Sequence, residues 1–489
     1  MGEDTKVMTL AELIAARATS HGARTYLEDA RSDRVVSYAD LYSRCRGWAE
    51  ALDASGIDSD ECVLLDLDDP LELSVSYLAI IAAGRCAVPV DPAMPDAEFA
   101  RAVELLQPAA VVGPARAGVT VEHLDPPAPA TATATARPAG PGRLRLRTSG
   151  STGEPKIVEL TEGQLLHVAR AVAAHNELTG NDRGFNPLPL FHINGEVVAL
   201  LASLVAGSTL VLDRRFHRDG FWALIEQRQI TWINAVPAIL TILSREPIPP
   251  RPAALRLVRS ASAALPQAVR ATLTGALGEI LVESYGMTEA ASQITATAPG
   301  EVPPAGSAGR PVGVEIEVRD DQGRAAPPDE IGRIWLRGDG VIRHYVGGRA
   351  AERFDADGWL DTGDLGRQDE AGYLFLVGRV DDVVNRGGQL VYPREIEEVL
   401  LADPAVLDAI VVGRPDDVLG AVPVAYVIAR VNCDDDARDA LVEGLEQRCR
   451  EQLSRYKRPA SVLVVDDLPR AATGKIRRSE VRRAVSLIR

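Results

Sequence analysis

The sequence predicts an α/β protein. Its large N-terminal domain is built of αβ-layered subdomains plus a β-rich subdomain, and a small α+β domain follows at the C-terminus. Three observations carry this reading. Short apolar runs alternate with helical patterns through the first third, as buried parallel strands between covering helices do. From about Val312 the texture turns β-rich, with candidate strands at 315–319, 333–337 and 373–377 separated by Gly, Pro and Asp turns. Beyond Arg379 a charged loop opens an αβ section of about 110 residues, the size of a small domain. The division expected is 1–379 and 380–489.

The elements follow in order. Residues 63–67 read as a buried strand, 71–83 as a helix, 87–90 as a strand and 97–106 as a helix. Residues 125–142 are low-complexity Pro, Ala and Thr, a surface loop or a domain linker. Further strands are expected at 144–147, 210–212, 232–235 and 279–282. No internal repeat is visible.

Composition narrows the function. The 489 residues carry 53 Lys+Arg against 69 Asp+Glu, a net charge of −16, which argues against a nucleic-acid partner because phosphate backbones demand a basic face. A hydrophobic share of 46% with 25% charged residues is ordinary for a soluble globular chain. Cys45, Cys62, Cys86, Cys433 and Cys449 are scattered and form no C-x-x-C pair, so neither a disulfide framework nor a zinc site is expected. No signal peptide is read at the N-terminus. The longest apolar run, 197–207, falls short of a membrane span, and the expectation is a cytoplasmic protein with no membrane partner. Only Lys6, Lys156, Lys457 and Lys475 are lysines; every other cation is arginine. Against that bias, a retained lysine marks a place where a compact, mobile point charge is wanted.

Five segments carry chemistry. Thr148-Ser149-Gly150-Ser151-Thr152-Gly153-Glu154-Pro155-Lys156 follows a strand and offers hydroxyls, two glycines and a lysine, a loop able to wrap a polyphosphate. It lacks Walker A spacing. Pro189-Leu190-Phe191-His192-Ile193-Asn194-Gly195 sets a histidine among apolar residues. Glu283-Ser284-Tyr285-Gly286-Met287-Thr288-Glu289 supplies a ring, a hydroxyl and a carboxylate after a strand. Gly358-Trp359-Leu360-Asp361-Thr362-Gly363-Asp364 ends on a carboxylate able to grip a ribose diol. Leu468-Pro469-Arg470-Ala471-Ala472-Thr473-Gly474-Lys475 puts a lysine on a tight loop. Each alone is an ordinary turn, core histidine or solvated lysine; their ordered set is not.

Together these segments resemble the adenylate-forming superfamily of acyl-CoA synthetases, peptide-synthetase adenylation domains and luciferases, over nearly the whole chain. The resemblance implies ATP, Mg2+ and CoA as ligands. It implies that Thr148, Ser149, Gly150, Ser151, Thr152, Gly153 and Lys156 hold the ATP phosphates. Tyr285 would stack on adenine opposite Ala263, while Asp364 and Arg379 would bind the ribose. Thr288 would touch a phosphate, and Glu289 would be the metal ligand. Asp381 falls at the hinge of a mobile C-terminal domain, and Gly388 at the small residue past which the pantetheine arm threads. Lys475 would reach the acyl carboxylate and the α-phosphate. His192, Thr288, Glu289 and Lys475 form the expected catalytic set. Asn194, Ser262, Gly286, Ser292 and Gln293 would join His192 in lining an acyl pocket.

The stretch 192–236 and Asn385-Arg386-Gly387-Gly388 look most like the small-acid, oxalate–CoA ligase-like branch. This chain departs from that branch at Ser292, where a histidine is usual, and at Gln389-Leu390, where Glu-Lys is usual. Ile157 replaces the glycine that ordinarily follows the phosphate-loop lysine. Three functions stay open from sequence: an acid–CoA ligase acting on a small or polar carboxylic acid; a stand-alone adenylating enzyme passing its activated acid, or an unusual oxyacid, to a carrier protein or a nitrogen nucleophile; and a non-catalytic nucleotide-binding relative. Oligomeric state is not legible.

Overall fold

The computed structural model describes residues 8–116, 119–130, 140–148, 156–430, 434–470 and 476–486. Two large sheets form the first part. One has six strands in the order Glu122–Leu124, Ala110–Val112, Cys62–Leu65, Cys86–Pro89, Arg143–Thr148 and Lys156–Thr161, all parallel except the last pair. The other has nine. Its centre is the parallel run Leu281–Met287, Leu257–Ser260, Trp232–Ala235, Arg183–Asn186, Thr209–Leu212 and Thr25–Asp29, with antiparallel strands at both edges.

Helices cover both sheets on both faces, as parallel sheets require. The helices Leu10–His21, Tyr38–Ala54, Pro70–Ala82 and Glu162–His175 lie in the shared core between the sheets, in contact with Leu65, Leu144 and Leu160 on one side and Leu27, Leu210, Trp232 and Leu257 on the other. The helix Pro70–Ala82 shows why. Asp69 caps it by accepting from the backbone N–H of Leu71 and Glu72, Pro70 occupies the first position, and every residue except Glu72 is buried. The apolar run beginning at Val197 is likewise an interior helix, wide-turned over Asn194–Leu201 and α-helical over Ala202–Ala206. Among the described residues no helix is long and apolar enough to cross a membrane.

Outer helices Phe221–Gln227, Pro237–Leu243 and Gln267–Leu277 back the nine-stranded sheet, and Asp96–Leu106 backs the six-stranded one. The β-rich stretch is a four-stranded antiparallel meander, Glu315–Arg319, Gly332–Arg337, Leu360–Gln368 and Leu374–Arg379. From Val384 onward a five-stranded sheet carries Pro393–Leu401 and Asp435–Gln452 on one face and Arg478–Ser486 on the other.

Two expectations are refined. Strand Leu281–Met287 starts later and runs further than 279–282, because its second half pairs antiparallel with Ser292–Ala296. In the low-complexity stretch, residues up to 130 lie against helix Tyr38–Ala54. The Ala130 N–H donates to Ser43 O at 3.2 Å, and a Cβ on Gly47 would stand 2.3 Å from Ala128 O.

Candidate active site

The nine-stranded sheet ends its parallel strands where the four-stranded meander abuts it. Tyr285, late in Leu281–Met287, donates its hydroxyl to Asp364 Oδ2 at 2.6 Å. Asp364 stands opposite Arg379 in the register of the meander, and Arg379 Nη1 lies 3.2 Å from its other oxygen. Burial, then the Asp364 carboxylate, pushes the Tyr285 phenol well above its ordinary value, so it stays a donor. Ser262 and Ala263, directly after strand Leu257–Ser260, are exposed at the same end of the sheet.

The turn after Tyr285 is tightly constrained. A Cβ on Gly286 would fall 1.7 Å from Ser292 O, so only glycine allows the two chains to approach so closely. Ser262 (φ 74°), Ala291 (φ 48°) and Ser292 (φ 101°) all hold left-handed backbone without being glycine, the kind of strain that gathers at ligand sites. Thr288 and Glu289 form a single helical turn, Thr288–Ala290.

Glu289 is 6% exposed and accepts from the Tyr345 hydroxyl at 2.8 Å. Arg353 Nη1 donates to the same hydroxyl at 2.9 Å, and its Nε donates to Asp361 O at 2.7 Å on the strand that carries Asp364. Lys156 Nζ sits 5.2 Å from the centroid of the Tyr345 ring. Burial, then the Arg353 guanidinium, holds the Lys156 ammonium below its ordinary value. Tyr345 and Arg353 thus join the candidate site, and the sequence reading had missed both. One chain of contacts runs from Lys156 past Tyr345 to Glu289 and through Arg353 to the strand of Asp364.

Lys156 pairs in register with Thr148, so these two residues end the strand pair on either side of residues 149–155. Ser149, Gly150, Ser151, Thr152 and Gly153 lie outside the described residues, as does Lys475. Ile157 is a strand residue packed against the apolar cluster around Val88 and Phe99.

Residues proposed for the acyl pocket divide. Asn194 and Gln293 are buried in two neighbouring polar groups: Asn234 Nδ2 donates to Asn186 Oδ1 at 2.9 Å and to Asn194 Oδ1 at 3.1 Å, while on the adjacent strand Arg259 donates to Gln293 Oε1. Ser292 is buried, whereas Ser262 faces solvent. His192 is half-buried ahead of the wide-turned helix, its Nε2 is enclosed without a partner among the described residues, and burial pulls its imidazole below the ordinary value. Asp381 is exposed, and it is the adjacent Asp382 that pairs with Arg478, at 3.3 Å, and with Arg482. Gly387 (φ 59°) and Gly388 (φ 88°) make the two-residue turn between Val384–Arg386 and Gln389–Val391, so the hairpin itself demands glycine there. Lys457 is engaged by Glu395 Oε1 at 2.5 Å.

The donor set fits Mg2+ held largely by substrate. Among the described residues no group of three or more His, Cys, Asp or Glu could hold a metal, and Mg2+ needs only one or two carboxylates beside phosphates and water. The hydrogen bond from Tyr345 reaches one oxygen of Glu289 and leaves Oε2 for an ion.

Comparison with known proteins agrees with this geometry. Residues 14–141 and 146–346 match the AMP-binding enzyme family, and residues 395–475 match the AMP-binding enzyme C-terminal domain. The chain is 34% identical over 501 residues to a sulfoacetate–CoA ligase of Cupriavidus necator, covering 96% of each protein. It is 36% identical over 343 residues to an oxalate–CoA ligase of Arabidopsis thaliana, covering 68% of this chain and 66% of that one. Its fold matches o-succinylbenzoate CoA synthetase from Bacillus subtilis in complex with the acyl-adenylate intermediate OSB-AMP, with a TM-score of 0.83 and 29% identity over 96% of this chain and 97% of that one. The same Bacillus enzyme has also been solved with ATP and a magnesium ion. The chain belongs to the AMP-binding enzyme family and is an adenylate-forming acid–CoA ligase, which activates a carboxylic acid with ATP as an acyl-adenylate and transfers the acyl group to CoA.

Proposed function

We propose that this ligase acts on a small, polar carboxylic acid. Tyr285 and Ala263 flank adenine, and Asp364 with Arg379 holds the ribose hydroxyls. Thr148 to Gly153, Lys156 and Thr288 take the phosphates. The observation that carries this division is the link from Tyr285 to Asp364 and, through Arg353 and Tyr345, to Glu289: a diol-binding carboxylate and a metal-binding carboxylate sit on one continuous scaffold. Glu289 would hold Mg2+, which when bound neutralises phosphate oxygens.

In the first half-reaction a carboxylate oxygen of the acid bonds to the α-phosphorus while the bond to pyrophosphate breaks. Two anions about 4 Å apart repel by about 4 kcal/mol at an effective dielectric near 20, and Lys475 is assigned to offset this as charge develops. In the second, the CoA sulfur bonds to the acyl carbon and AMP leaves with the carboxyl oxygen. The N-terminal domain is taken as 1–379 and the C-terminal domain as 380–489, hinged at Asp381. The shortness of the link supports this: the meander ends at Arg379 and the next sheet begins at Val384. A cytoplasmic site is supported by the free thiols of Cys45, Cys62, Cys86 and Cys449.

A panel of small acids with ATP, Mg2+ and CoA tests the reading. The expected result is pyrophosphate, AMP and a CoA thioester from a polar acid. Pyrophosphate without thioester would make a carrier protein or an amine the acceptor. Release at the unaltered rate by Lys475→Ala would remove Lys475 from the reaction.

A further inference from the structure

Four neighbouring central strands of the nine-stranded sheet turn from apolar to polar on the inner face at their C-terminal ends. Gly184, Trp232, Leu257 and Val282 face the shared core; two residues on, the same face carries Asn186, Asn234, Arg259 and Ser284. In parallel sheets this end of the strands is where ligands bind. Here the row lies just before the adenosine segments, since Ser284 precedes Tyr285 and Arg259 comes shortly before Ser262 and Ala263. Asn194, on the interior helix, is bonded to the row through Asn234, and Gln293, on the neighbouring strand, through Arg259.

Arg259 is the unusual member. It is fully buried, Nη2 donates to Ser284 Oγ at 3.0 Å and to Gln293 Oε1, and Nε and Nη1 are enclosed without any partner. Among the described residues no carboxylate pairs with it. Burial alone pulls its guanidinium down to about 9, so desolvation goes uncompensated. Its neighbours leave further unpaired atoms: Asn194 Nδ2 and Gln293 Nε2 as donors, and Asn234 Oδ1 as acceptor. The amide orientations follow from Arg259, which has no acceptor to offer, so Gln293 must present its oxygen there. Orphaned donors therefore outnumber orphaned acceptors around a guanidinium with no counter-ion.

We infer that Arg259 is a specificity-determining residue that binds a second anionic group, a carboxylate or sulfonate, on the acid being activated, with Asn194, Ser284 and Gln293 completing the subsite. The inference rests on the acid–CoA ligase reading and narrows its substrate to small dianionic acids. The reacting carboxylate stays at the adenylation centre. The second anion enters the polar row, where the unpaired donors receive it. A monoanionic acid of equal length leaves those donors unmatched, the condition under which a polar site rejects an isostere most strongly.

The test compares matched pairs: malonate or sulfoacetate against propionate, and succinate against butyrate. Thioester formation and pyrophosphate release are followed in the intact enzyme and in Arg259→Met, which keeps an unbranched side chain at that position. The intact enzyme is expected to favour a dianionic acid over its partner by about 100-fold in kcat/KM, and Arg259→Met to erase or reverse that preference while the KM for ATP stays within about twofold. Gln293→Glu, which places a carboxylate against Arg259, should lose the dianionic acid by the same order. Thermal melting of both variants checks folding. Turnover of monoanionic acids in preference to dianionic ones overturns this inference and leaves the ligase reading standing. An equal loss for both acids of a pair in Arg259→Met also overturns it. No turnover of any acid overturns both.

Discussion

Tyr285 donates its hydroxyl to Asp364 at 2.6 Å, and the same carboxylate faces Arg379 at 3.2 Å. The contact ties the nine-stranded sheet to the four-stranded meander and holds the carboxylate in place before any nucleotide arrives. A diol would donate to a charged acceptor there, which is worth more than an ordinary hydrogen bond. Asp364→Asn is expected to raise the KM for ATP about 30-fold. Tyr285→Phe keeps the ring and should raise it about threefold, a neutral-scale loss. Because the two side chains touch, the double variant should be no worse than Asp364→Asn alone. ATP dependence of pyrophosphate release at saturating acid measures all three; strict additivity would mean that the hydroxyl does not act through Asp364.

Tyr345 stands between Glu289 and Arg353, donating its hydroxyl to Glu289 and accepting from Arg353. Removing its hydroxyl frees the carboxylate expected to meet Mg2+ and leaves one Arg353 donor without its partner. Tyr345→Phe should therefore raise the Mg2+ concentration for half-maximal rate about tenfold, with a smaller loss of rate at saturating Mg2+. A Mg2+ titration of initial rates decides it. An unchanged half-point with a lower plateau would place Tyr345 outside the metal site.

What the sequence revealed and what it hid divide along a physical line. Tyr285, Glu289, Asp364 and Arg379 were legible because each lies in a distinctive string of residues, and the fold brings those strings together. The parallel strands were legible because burial on both faces leaves continuous apolar runs such as 62–65. Tyr345 and Arg353 were not, since their role comes from side chains far apart in sequence. Arg259 was hidden for another reason: in a chain where all cations but four are arginine, only its full burial, with Nε and Nη1 unpartnered among the described residues, sets it apart. Gly388 was noticed, but its positive φ belongs to a hairpin turn that motif reading does not show.

That hairpin gives a prediction that separates turn geometry from passage of the pantetheine arm. A Cβ on Gly388 would meet nothing within 4 Å, so its substitution strains only the backbone. Gly388→Ala should destabilise the protein by about 1–2 kcal/mol, and Gly388→Asn less, because asparagine tolerates the left-handed region. If the pantetheine arm passes here, both should slow thioester formation about tenfold or more while pyrophosphate release persists, and the bulkier asparagine should be worse. Recovery of thioester formation in Gly388→Asn would leave the glycine with a turn role only.

Glu196 offers a prediction about stability in place of catalysis. It sits on the wide-turned helix Asn194–Leu201, 1% exposed, and neither carboxylate oxygen has a partner among the described residues. Burial pushes its carboxyl well above the ordinary value. The folded protein therefore keeps this proton over a range where the unfolded chain has released it. With fewer protons bound when unfolded, stability falls as pH rises from the unfolded pKa toward the folded one, by at most about 1.4 kcal/mol per pH unit for one group. Glu196→Gln keeps the shape and removes the titration. Its melting temperature should sit close to that of the unaltered protein near pH 5 and rise progressively above it toward pH 8. A difference that stays constant across that range would show that Glu196 does not carry the proton.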